Sequence, residues 1–355
     1  MTKRIALMLP NWIGDVVMAT PAIRAIRTAY PKAELLGIGR PYVQSVLDAN
    51  PWFDEMISVE QRGFAAAVSV GLRLRRRKID MAVLFPNSFR SALIARIAGC
   101  AQRIGFSRYG RAMLLTDRLH HVRDGRGRWR PTSILRDYNC LARKAGATEC
   151  SDRMQLFTTG IDESLAEEVW QRAGFDRGQD VVCLNPGAAF GSSKLWPAEH
   201  FAALARRLVR ERSINVLILC GPAERDLARQ IAHRAAAPQI HTLADEPVSI
   251  GLTKACIRRS ALLVSTDSGP RHFAAAFNRP VVALFGPTHI EWTQTFHPLE
   301  TQMQVRVPCG PCQQRICPTD QRCMRELQPN DVYDAAIQLL DRDSRLNQVE
   351  ETHAA

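Results

Sequence analysis

The sequence predicts an α/β protein built from two doubly wound domains, each a parallel sheet with helices on both faces. Short apolar runs alternate with segments of helical periodicity along the chain, and this pattern restarts near residue 180, after the polar stretch 174–180. Strands that are apolar on both faces and alternate with helices are typical of parallel sheets. A chain of 355 residues is also long enough for two domains of ordinary size.

The elements follow one another in the order that this fold class requires. The apolar runs predicted to be strands are 4–9, 34–38, 80–85, 181–185, 215–220, 261–266 and 281–285, and helical periodicity marks 198–211 and 224–237. We place the domains at 1–175 and 176–330, followed by a C-terminal helix and tail at 331–355. We expect that helix, which includes "NDVYDAAIQLLDR", to pack back across the first domain. Ligands of doubly wound sheets bind outside the carboxyl ends of the strands, so two such domains predict a site in a cleft between them.

Charge is distributed unevenly along the chain. Residues 1–150 carry 25 Lys and Arg against 11 Asp and Glu, whereas the remainder carries 22 against 24. A basic first half predicts an anionic partner, although a run such as "RLRRRK" at 73–78 is explained equally well as solvated surface.

The sequence also predicts the cellular compartment. No apolar run approaches the roughly 20 residues needed to cross a bilayer. Asn11, Gly14 and Asp15 interrupt the first apolar run, which is unlike a signal peptide. We therefore expect a cytoplasmic protein whose ten cysteines are thiols or metal ligands rather than disulfides.

The loop after residues 261–266 predicts a binding site for a nucleotide diphosphate. A buried strand ends at Thr266, and Asp267, Ser268 and Gly269 then turn the chain into a helix of small residues. Exposed backbone amides at a helix N-terminus, together with the positive end of the helix dipole, can hold a diphosphate. An ordinary strand–turn–helix connection has the same sequence features, so this loop alone leaves both interpretations open.

A second loop, "NPGAAFGSSKLWP" at 185–197, favours the diphosphate interpretation. Its small residues let a phosphate approach the backbone, Ser192 and Ser193 offer hydroxyl groups, and Lys194 supplies a positive charge. A surface lysine is the alternative interpretation of Lys194. Glu224, which follows a third strand, is a further candidate because its carboxylate could accept hydrogen bonds from ribose hydroxyls.

The first loop of the chain, "NWIGDVVMATPAIRAIR" at 11–27, carries Asp15 where a dinucleotide-binding fold would have a glycine-rich turn. We expect the first helix to begin at Thr20–Pro21, because threonine is a good cap and proline suits the first helical position. Asp15 then lies on a loop, where it could take a proton from an attacking hydroxyl as a general base. A capping role for Asp15 is the alternative.

Several stretches together resemble one known family. The first loop, "FPNSFRSALIARIAG" at 85–99, "RIGFSRYGR" at 103–111 and the two loops of the second half occur in the order found in lipopolysaccharide heptosyltransferases of glycosyltransferase family 9. This resemblance implies the GT-B fold, in which two Rossmann-like domains face a cleft. It also implies inverting, metal-independent transfer of L-glycero-D-manno-heptose from ADP-heptose to the heptose and Kdo inner core of lipopolysaccharide.

The resemblance carries over to particular residues. Asp15 matches the catalytic aspartate of the family, and Lys194 matches a lysine that binds the donor. The Asp-Ser-Gly-x-x-His element that holds ADP and heptose matches Asp267, Ser268, Gly269 and His272. We also expect Thr266, directly before this element, to bind the donor. Domain 1–175 would bind the acceptor and supply the base, and domain 176–330 would bind the ADP-sugar.

The resemblance also gives the basic first half a partner. An anionic, lipid-linked core oligosaccharide on the cytoplasmic face of the inner membrane would attract an arginine-rich surface, so we expect peripheral, charge-driven membrane contact. The residues of the family-like loops that we expect to contact this acceptor are Asn11, Arg90, Arg103, Arg108 and Arg111.

Other classes of protein remain as alternatives. A related transferase could add a different core heptose or use another nucleotide sugar. The absence of G-x-G-x-x-G after the first strand disfavours a nicotinamide-dependent oxidoreductase. Only 7% of the residues are aromatic and none form a stripe with basic residues, which disfavours nucleic-acid binding.

Four cysteines lie close together in "CGPCQQRICPTDQRC". Cys309, Cys312, Cys317 and Cys323 have the spacing C-x2-C-x4-C-x5-C, which could hold structural zinc or an iron–sulfur cluster. The spacing matches no standard zinc motif, and a loop of reduced thiols is the alternative. We expect catalysis to require no cofactor.

Overall fold

Two compact units make up the computed structural model of the protein, which describes residues 3–354 apart from 61–62, 124, 126, 128–129 and 176–177, and side chains as far as residue 345. The first unit comprises Met1–Phe157 with Glu291–Thr295, and the second comprises Thr158–Ile290 with Phe296–Ala355. Each unit contains one six-stranded sheet in which all neighbouring strands are parallel.

The first sheet has the strand order β3-β2-β1-β4-β5-β6. The elements of this unit are β1 (Arg4–Met8), α1 (Ile13–Ala29), β2 (Glu34–Gly39), α2 (Pro41–Val46), β3 (Glu55–Ser58), α3 (Phe64–Arg75), β4 (Met81–Leu84), α4 (Phe89–Ile97), β5 (Gln102–Phe106), β6 (Asp117–Leu119) and α5 (Ile134–Lys144). The strand order reverses between β1 and β4, which is the switch point where doubly wound sheets bind ligands.

The second sheet has the order β12-β11-β10-β7-β8-β9, which repeats the topology of the first. Its unit contains α6 (Gly160–Arg172), β7 (Val181–Asn185), α7 (Ala198–Arg212), β8 (Asn215–Ile218), α8 (Arg225–Ala235), β9 (Ile240–Thr242), α9 (Ile250–Arg259), β10 (Leu262–Thr266), α10 (Gly269–Ala276), β11 (Val281–Phe285), β12 (Glu300–Gln304), α11 (Arg322–Arg325) and α12 (Pro329–Ala354). The switch point of this sheet lies between β7 and β10.

The central strands form the cores of both units. Every residue of β4, β7, β10 and β11 is buried, as the apolar runs predict for strands covered on both faces. All seven predicted strands and both predicted helices are present, with every end within two residues of its expected position. The doubly wound parallel α/β architecture is therefore confirmed for each half of the chain.

The boundary between the units differs from the predicted position at 175–176. The chain passes from one unit to the other after Phe157, so α6 belongs to the second unit. Glu163 of α6 forms ion pairs with Arg258 and Arg259 of α9, at 2.8 and 3.1 Å, and these pairs hold α6 on the second unit. Residues 176–177, at the predicted boundary, lie outside the described residues.

The C-terminal helix packs within the second unit. α12 contacts α7, β10, β11 and β12. Packing of this helix across the first domain stays a prediction. Tyr333 of α12 lies under the guanidinium of Arg207 of α7, 3.8 Å from the ring centroid. The buried face of α12, which includes Val332, Ala336 and Leu339, explains this packing.

The first helix begins earlier than predicted. α1 starts at Ile13, and Thr20 and Pro21 lie inside it rather than at its cap. Proline has no backbone N–H, so the carbonyl of Val17 lacks its usual helical partner. The hydroxyl of Thr20 donates to that carbonyl at 2.7 Å and replaces the missing bond. Asp15 therefore lies in the first turn of α1, not on a loop.

The ion pairs of Glu163 predict a pH-dependent contribution to stability. Burial alone would raise the pKa of Glu163, but hydrogen bonds from Arg258, Thr158 and Arg259 outweigh it and lower the pKa to about 2, below its usual 4.5. Because the folded-state pKa is lowered, this stabilisation is complete above pH 4.5 and disappears as the pH falls through 2. We expect Glu163→Gln to lower the free energy of unfolding at pH 7 by about 1 kcal/mol, and to have no effect near pH 2.

Chemical denaturation at a series of pH values measures this effect. Glu168→Gln, on the exposed side of the same helix, is the matched control, because Glu168 forms an exposed i,i+4 pair with Arg172. Parallel stability curves for Glu163→Gln and the wild type between pH 7 and pH 2 would contradict the prediction.

Candidate functional site

The carboxyl edge of the first sheet carries Asp15. Its position in the first turn of α1 places the carboxylate at the positive end of the helix dipole, and the side chain is partly exposed. The pKa of Tyr138 on α5 is raised well above its usual value, mainly by burial and next by the negative charge of Asp15. A partly exposed carboxylate at this edge can accept a proton from a bound hydroxyl. The role of Asp15 as general base stays a prediction.

Arg111 lies inside the first unit, where its burial and hydrogen bonds favour a structural role over its predicted contact with the acceptor. Its side chain is 0% exposed, and its Nε donates to the carbonyl of Phe106 at 2.9 Å. The terminal nitrogens donate to the carbonyl of Pro86, to Ser91 Oγ at 3.2 Å and to Asn87 Oδ1 at 3.1 Å. Burial lowers the pKa of Arg111 to about 10. Arg111 therefore holds the loop between β4 and α4 in place.

Replacing this arginine tests its structural role. We expect Arg111→Lys to lower the free energy of unfolding by about 2–3 kcal/mol, because one ammonium cannot reach all the acceptors and buried unpaired carbonyls are costly. The KM for the acceptor should stay within twofold of the wild type at temperatures where the variant is folded. Arg118→Lys, on the exposed surface of β6, is the control. Unchanged stability with a raised acceptor KM would return Arg111 to the acceptor site.

The other predicted acceptor residues are more accessible. Arg90, in the first turn of α4, and Arg108 are partly exposed, and the guanidinium of Arg108 lies 4.8 Å from the ring centroid of Tyr109. Asn11 is exposed. Arg103 is partly exposed but donates to the carbonyls of Leu114, at 2.7 Å, and Cys100, at 2.5 Å. Contact of these residues with an acceptor stays a prediction, and the bonds of Arg103 favour a structural role.

Exposed apolar side chains at the same edge were missed by the sequence analysis. Each follows the carboxyl end of β1, β2, β4 or β5, and each is at least 38% exposed: Trp12, Tyr42, Phe89, Tyr109 and Met113. Exposed large apolar groups are informative because they often mark binding surfaces. The signal in the sequence was that each of these large apolar residues lies in the segment that follows a predicted or observed strand.

A buried ion pair lies at the carboxyl edge of the second sheet. Lys194 Nζ is 2.5 Å from Asp267 Oδ2 and also donates to the carbonyl of Asp267 at 3.0 Å. The two residues are 8% and 4% exposed. Lys194 follows β7 and Asp267 follows β10, on either side of the switch point. The structure thus brings together the residues of the two loops that predict a diphosphate site.

Neighbouring groups fix the charge of Asp267. Burial alone would raise its pKa, but Lys194 and then Arg271, 3.7 Å from Oδ1, lower the pKa of Asp267 to about 2. Thr288 also donates to Oδ2 at 2.8 Å, and Arg271 is paired with Glu300 at 2.5 Å. Arg271, Thr288 and Glu300 were not predicted, because the pattern of a single loop does not reveal partners from later strands. Asp267 is therefore ionised throughout the physiological range.

The N-terminus of α10 lies beside this pair. Ser268 is the N-cap residue and Gly269 the first helical residue. The side chain of Ser268 makes no capping hydrogen bond, and its Oγ instead accepts from Asn185 Nδ2 of β7 at 2.8 Å. The partly exposed start of α10, next to the Lys194 ammonium, has the geometry and charge that suit a phosphate group.

His272 is enclosed within α10. It is 2% exposed, and burial followed by the charge of Arg271 lowers the pKa of His272 well below its usual value, so the imidazole is neutral. Its Nε2 lies 3.5 Å from a terminal nitrogen of Arg271. Contact of His272 with the donor stays a prediction.

Two predicted donor ligands, Thr266 and Ser193, have hydrogen-bond partners within the protein. Thr266 is fully buried and its hydroxyl donates to the carbonyl of Gly187 at 2.6 Å, which ties β10 to the loop after β7. Ser193 is buried, and its hydroxyl donates to the carbonyl of Gln314 at 2.5 Å. Because both hydroxyl protons are used within the protein, these bonds favour structural roles, and contact of Thr266 and Ser193 with the donor stays a prediction.

The remaining candidates lie at the same edge. Ser192 is exposed, so its hydroxyl is accessible to a ligand. Glu224 Oε2 accepts from the backbone N–H of Gly221 at 2.9 Å. The Glu224 carboxylate also lies against Gly187, where a Cβ would be 2.1 Å from Oε1, so a larger residue at 187 would require the carboxylate to move. The ribose-binding role of Glu224 stays a prediction.

Three of the four clustered cysteines lie between β12 and α11, and the fourth, Cys323, lies in α11. Cys309 is exposed, Cys312 and Cys317 are partly exposed, and Cys323 is buried. Burial, followed by the charges of the other three thiols, raises the pKa of Cys323 to about 11. Among the described residues, no three His, Cys, Asp or Glu side chains are placed to hold a metal ion. Structural zinc or iron–sulfur binding stays a prediction, which metal analysis of the purified protein can test.

Comparisons with known proteins identify the family of this chain. The model of "Glycosyltransferase family 9 (heptosyltransferase)" matches residues 67–322. Lipooligosaccharide heptosyltransferase 2 of Campylobacter jejuni is 27% identical over 344 residues, covering 95% of this chain and 98% of that protein. Lipopolysaccharide heptosyltransferase 3 of Escherichia coli is 25% identical over 303 residues, covering 79% and 82%.

A solved structure supports the fold. The structure of Escherichia coli ADP-heptose lipopolysaccharide heptosyltransferase II matches with a TM-score of 0.78 and 24% identity, over 96% of this chain and 99% of that one. The Trp-Ile-Gly-Asp form of the first loop and "PNSFRSAL" also resemble heptosyltransferase II more than heptosyltransferase I. Because the family model spans well over half of the sequence, this protein belongs to glycosyltransferase family 9, the heptosyltransferases, and has the GT-B fold.

Proposed function

We propose that this protein transfers L-glycero-D-manno-heptose from ADP-heptose to the inner core of lipopolysaccharide. The observation that carries the proposal is the buried Lys194–Asp267 pair beside the N-terminus of α10, in a chain of this family. Relatives named as heptosyltransferases of lipopolysaccharide and lipooligosaccharide support the choice of substrate.

The second unit is proposed to hold the donor. The diphosphate would accept hydrogen bonds from the first amides of α10 and from the Lys194 ammonium, which now points at Asp267. Asp267 keeps that ammonium in position and remains ionised. These groups would also stabilise the negative charge that develops on ADP as it leaves.

The first unit is proposed to supply the base. Asp15 would take the proton from the acceptor hydroxyl while the hydroxyl oxygen forms a bond to the anomeric carbon of the heptose. The bond from that carbon to ADP breaks at the same time, and its electron pair leaves with ADP. Attack on the face opposite ADP inverts the anomeric configuration.

The acceptor is proposed to be an anionic, lipid-linked core oligosaccharide on the cytoplasmic face of the inner membrane. The excess of Lys and Arg in residues 1–150 supports peripheral, charge-driven contact, with Arg90 and Arg108 at the acceptor edge. Within the described residues, no helix has both the length and the apolarity to cross a membrane. The match to heptosyltransferase 3 keeps addition of a different core heptose as the second candidate.

Isothermal calorimetry with ADP, UDP and NAD tests the donor class. We expect ADP to bind most tightly, and to bind more weakly as salt concentration increases, because its diphosphate is held by charge. Preferential binding of UDP would indicate a different nucleotide sugar, and preferential binding of NAD would contradict a glycosyltransferase site.

A further inference from the structure

The segment with the four clustered cysteines, residues 309–323 (the cysteine segment), contacts the loop that carries Lys194. The backbone N–H of Ser193 donates to the carbonyl of Arg315 at 3.1 Å, and the Ser193 hydroxyl donates to the carbonyl of Gln314. The approach is so close that a Cβ on Gly191 would lie 2.2 Å from the Arg315 oxygen. Only glycine at position 191 permits this contact.

Gln321 makes a second connection between the same two segments. Its Nε2 donates to the carbonyl of Ser192 at 2.8 Å and to the carbonyl of Leu195 at 2.9 Å. These two carbonyls lie on either side of Lys194 in the chain, at the two ends of the short 3-10 turn Ser192–Lys194. One amide group therefore fixes the backbone from which the Lys194 side chain extends.

The cysteine segment also contacts the loop after β11. The backbone N–H of Gln313 donates to the carbonyl of Pro287 at 2.9 Å. Cys323 lies against Gly286, where a Cβ would be 3.2 Å from its sulfur. Thr288, which follows Pro287 in that loop, donates to Asp267 Oδ2. The segment is thus bonded to both loops that determine the geometry of the Lys194–Asp267 pair.

We propose that the cysteine segment is a wall of the donor site and that Gln321 is a positioning residue for Lys194. This inference rests on the proposed function, because the ligand of Lys194 is taken to be the diphosphate of an ADP-sugar. A lysine side chain loses considerable conformational freedom when it binds a ligand, and a backbone that is already fixed reduces this cost. Loss of the Gln321 bonds should therefore weaken donor binding and leave the chemical step unchanged.

Gln321→Glu tests the inference, because it keeps the size of the side chain but places a carboxylate against two carbonyl oxygens. Gln321→Met, which only removes the donor group, is the milder variant. Gln328→Met is the matched control, since Gln328 is exposed and donates to the carbonyls of neighbouring residues, Arg325 and Glu326. The readouts are the Kd for ADP, the KM for ADP-heptose, the KM for the acceptor, kcat and the thermal midpoint.

We expect the Kd for ADP and the KM for ADP-heptose to increase roughly tenfold in Gln321→Met, and further in Gln321→Glu. The acceptor KM and kcat should stay within twofold, and the control should match the wild type. Donor affinity within twofold of the wild type in both variants would overturn the inference. A loss of kcat and acceptor affinity as large as the loss of donor affinity would also overturn it, because it would indicate general destabilisation.

Failure of the proposed function gives a different result. A wild-type protein that does not bind ADP would contradict the ADP-sugar site itself. If Gln321→Glu is not folded, Ser193→Ala provides the same test, since it removes the hydrogen bond to Gln314 from the other side of the contact.

Discussion

Asp15→Asn should lower kcat by about 100- to 10,000-fold, the range that positioned general bases typically contribute. The amide has nearly the shape of the carboxylate but cannot take a proton from the acceptor hydroxyl. The Kd for ADP should be unchanged, because the residues proposed to hold ADP all belong to the second unit. Steady-state transfer assays with calorimetry on the same samples measure both quantities.

The control for this variant is Asp48→Asn, because Asp48 is an exposed aspartate of the first unit. Its kcat should equal that of the wild type. Asp15 also lies in the first turn of α1, where a carboxylate stabilises the helix by about 0.3–1 kcal/mol. If Asp15→Asn loses only this stability and retains near-normal kcat, Asp15 is a helix-stabilising residue and the proposed base must be sought elsewhere.

Lys194→Met should weaken both donor binding and the folded state. A charge-assisted hydrogen bond to a phosphate contributes about 1.5–3 kcal/mol, so the Kd for ADP should increase by about tenfold or more. Removal of the lysine also leaves Asp267 buried without its nearest cation, and breaking a buried pair costs about 3–5 kcal/mol. Arg271 and Thr288 remain near Asp267 and should keep the cost at the lower end of this range.

A double-mutant cycle separates the two effects. The double variant combines Lys194→Met with Asp267→Asn and so has no unpaired carboxylate at position 267. Its free energy of unfolding should therefore recover towards that of the wild type. ADP affinity should not recover, because the ammonium is still absent. Recovery of ADP affinity in the double variant, or unchanged affinity in Lys194→Met alone, would exclude Lys194 from the donor site.

The strands that could be predicted from the sequence are those whose burial requires apolar residues. Strands such as β7 and β10 are buried on both faces, which requires continuous apolar runs. The edge strand β12, "ETQMQ", is partly exposed at every position, so its sequence is polar and no strand was predicted there. The start of α1 was placed wrongly because Thr20–Pro21 resembles a cap, and only the structure shows the hydroxyl replacing the missing proline bond.

The candidate sites were predictable only in part. Lys194 and Asp267 stand out because each follows a buried strand with small residues nearby, but their pairing joins positions 73 residues apart. Gln321 and Thr288 have ordinary sequence surroundings, and their roles come from loops that meet in space. Arg111 is a residue that the sequence pattern overrated as a ligand contact. It lies in a family-like loop, but in the folded chain each of its three guanidinium nitrogens donates to a group of the protein itself.

The most direct measurement of the proposed reaction is transfer from ADP-L-glycero-D-manno-heptose to a core lipid that already carries one heptose. Mass spectrometry of the lipid and quantification of ADP follow both products. We expect one heptose added for each ADP released, with the wild type active and Asp15→Asn nearly inactive. No added heptose, from an enzyme that binds ADP and turns over another nucleotide sugar, would contradict the account.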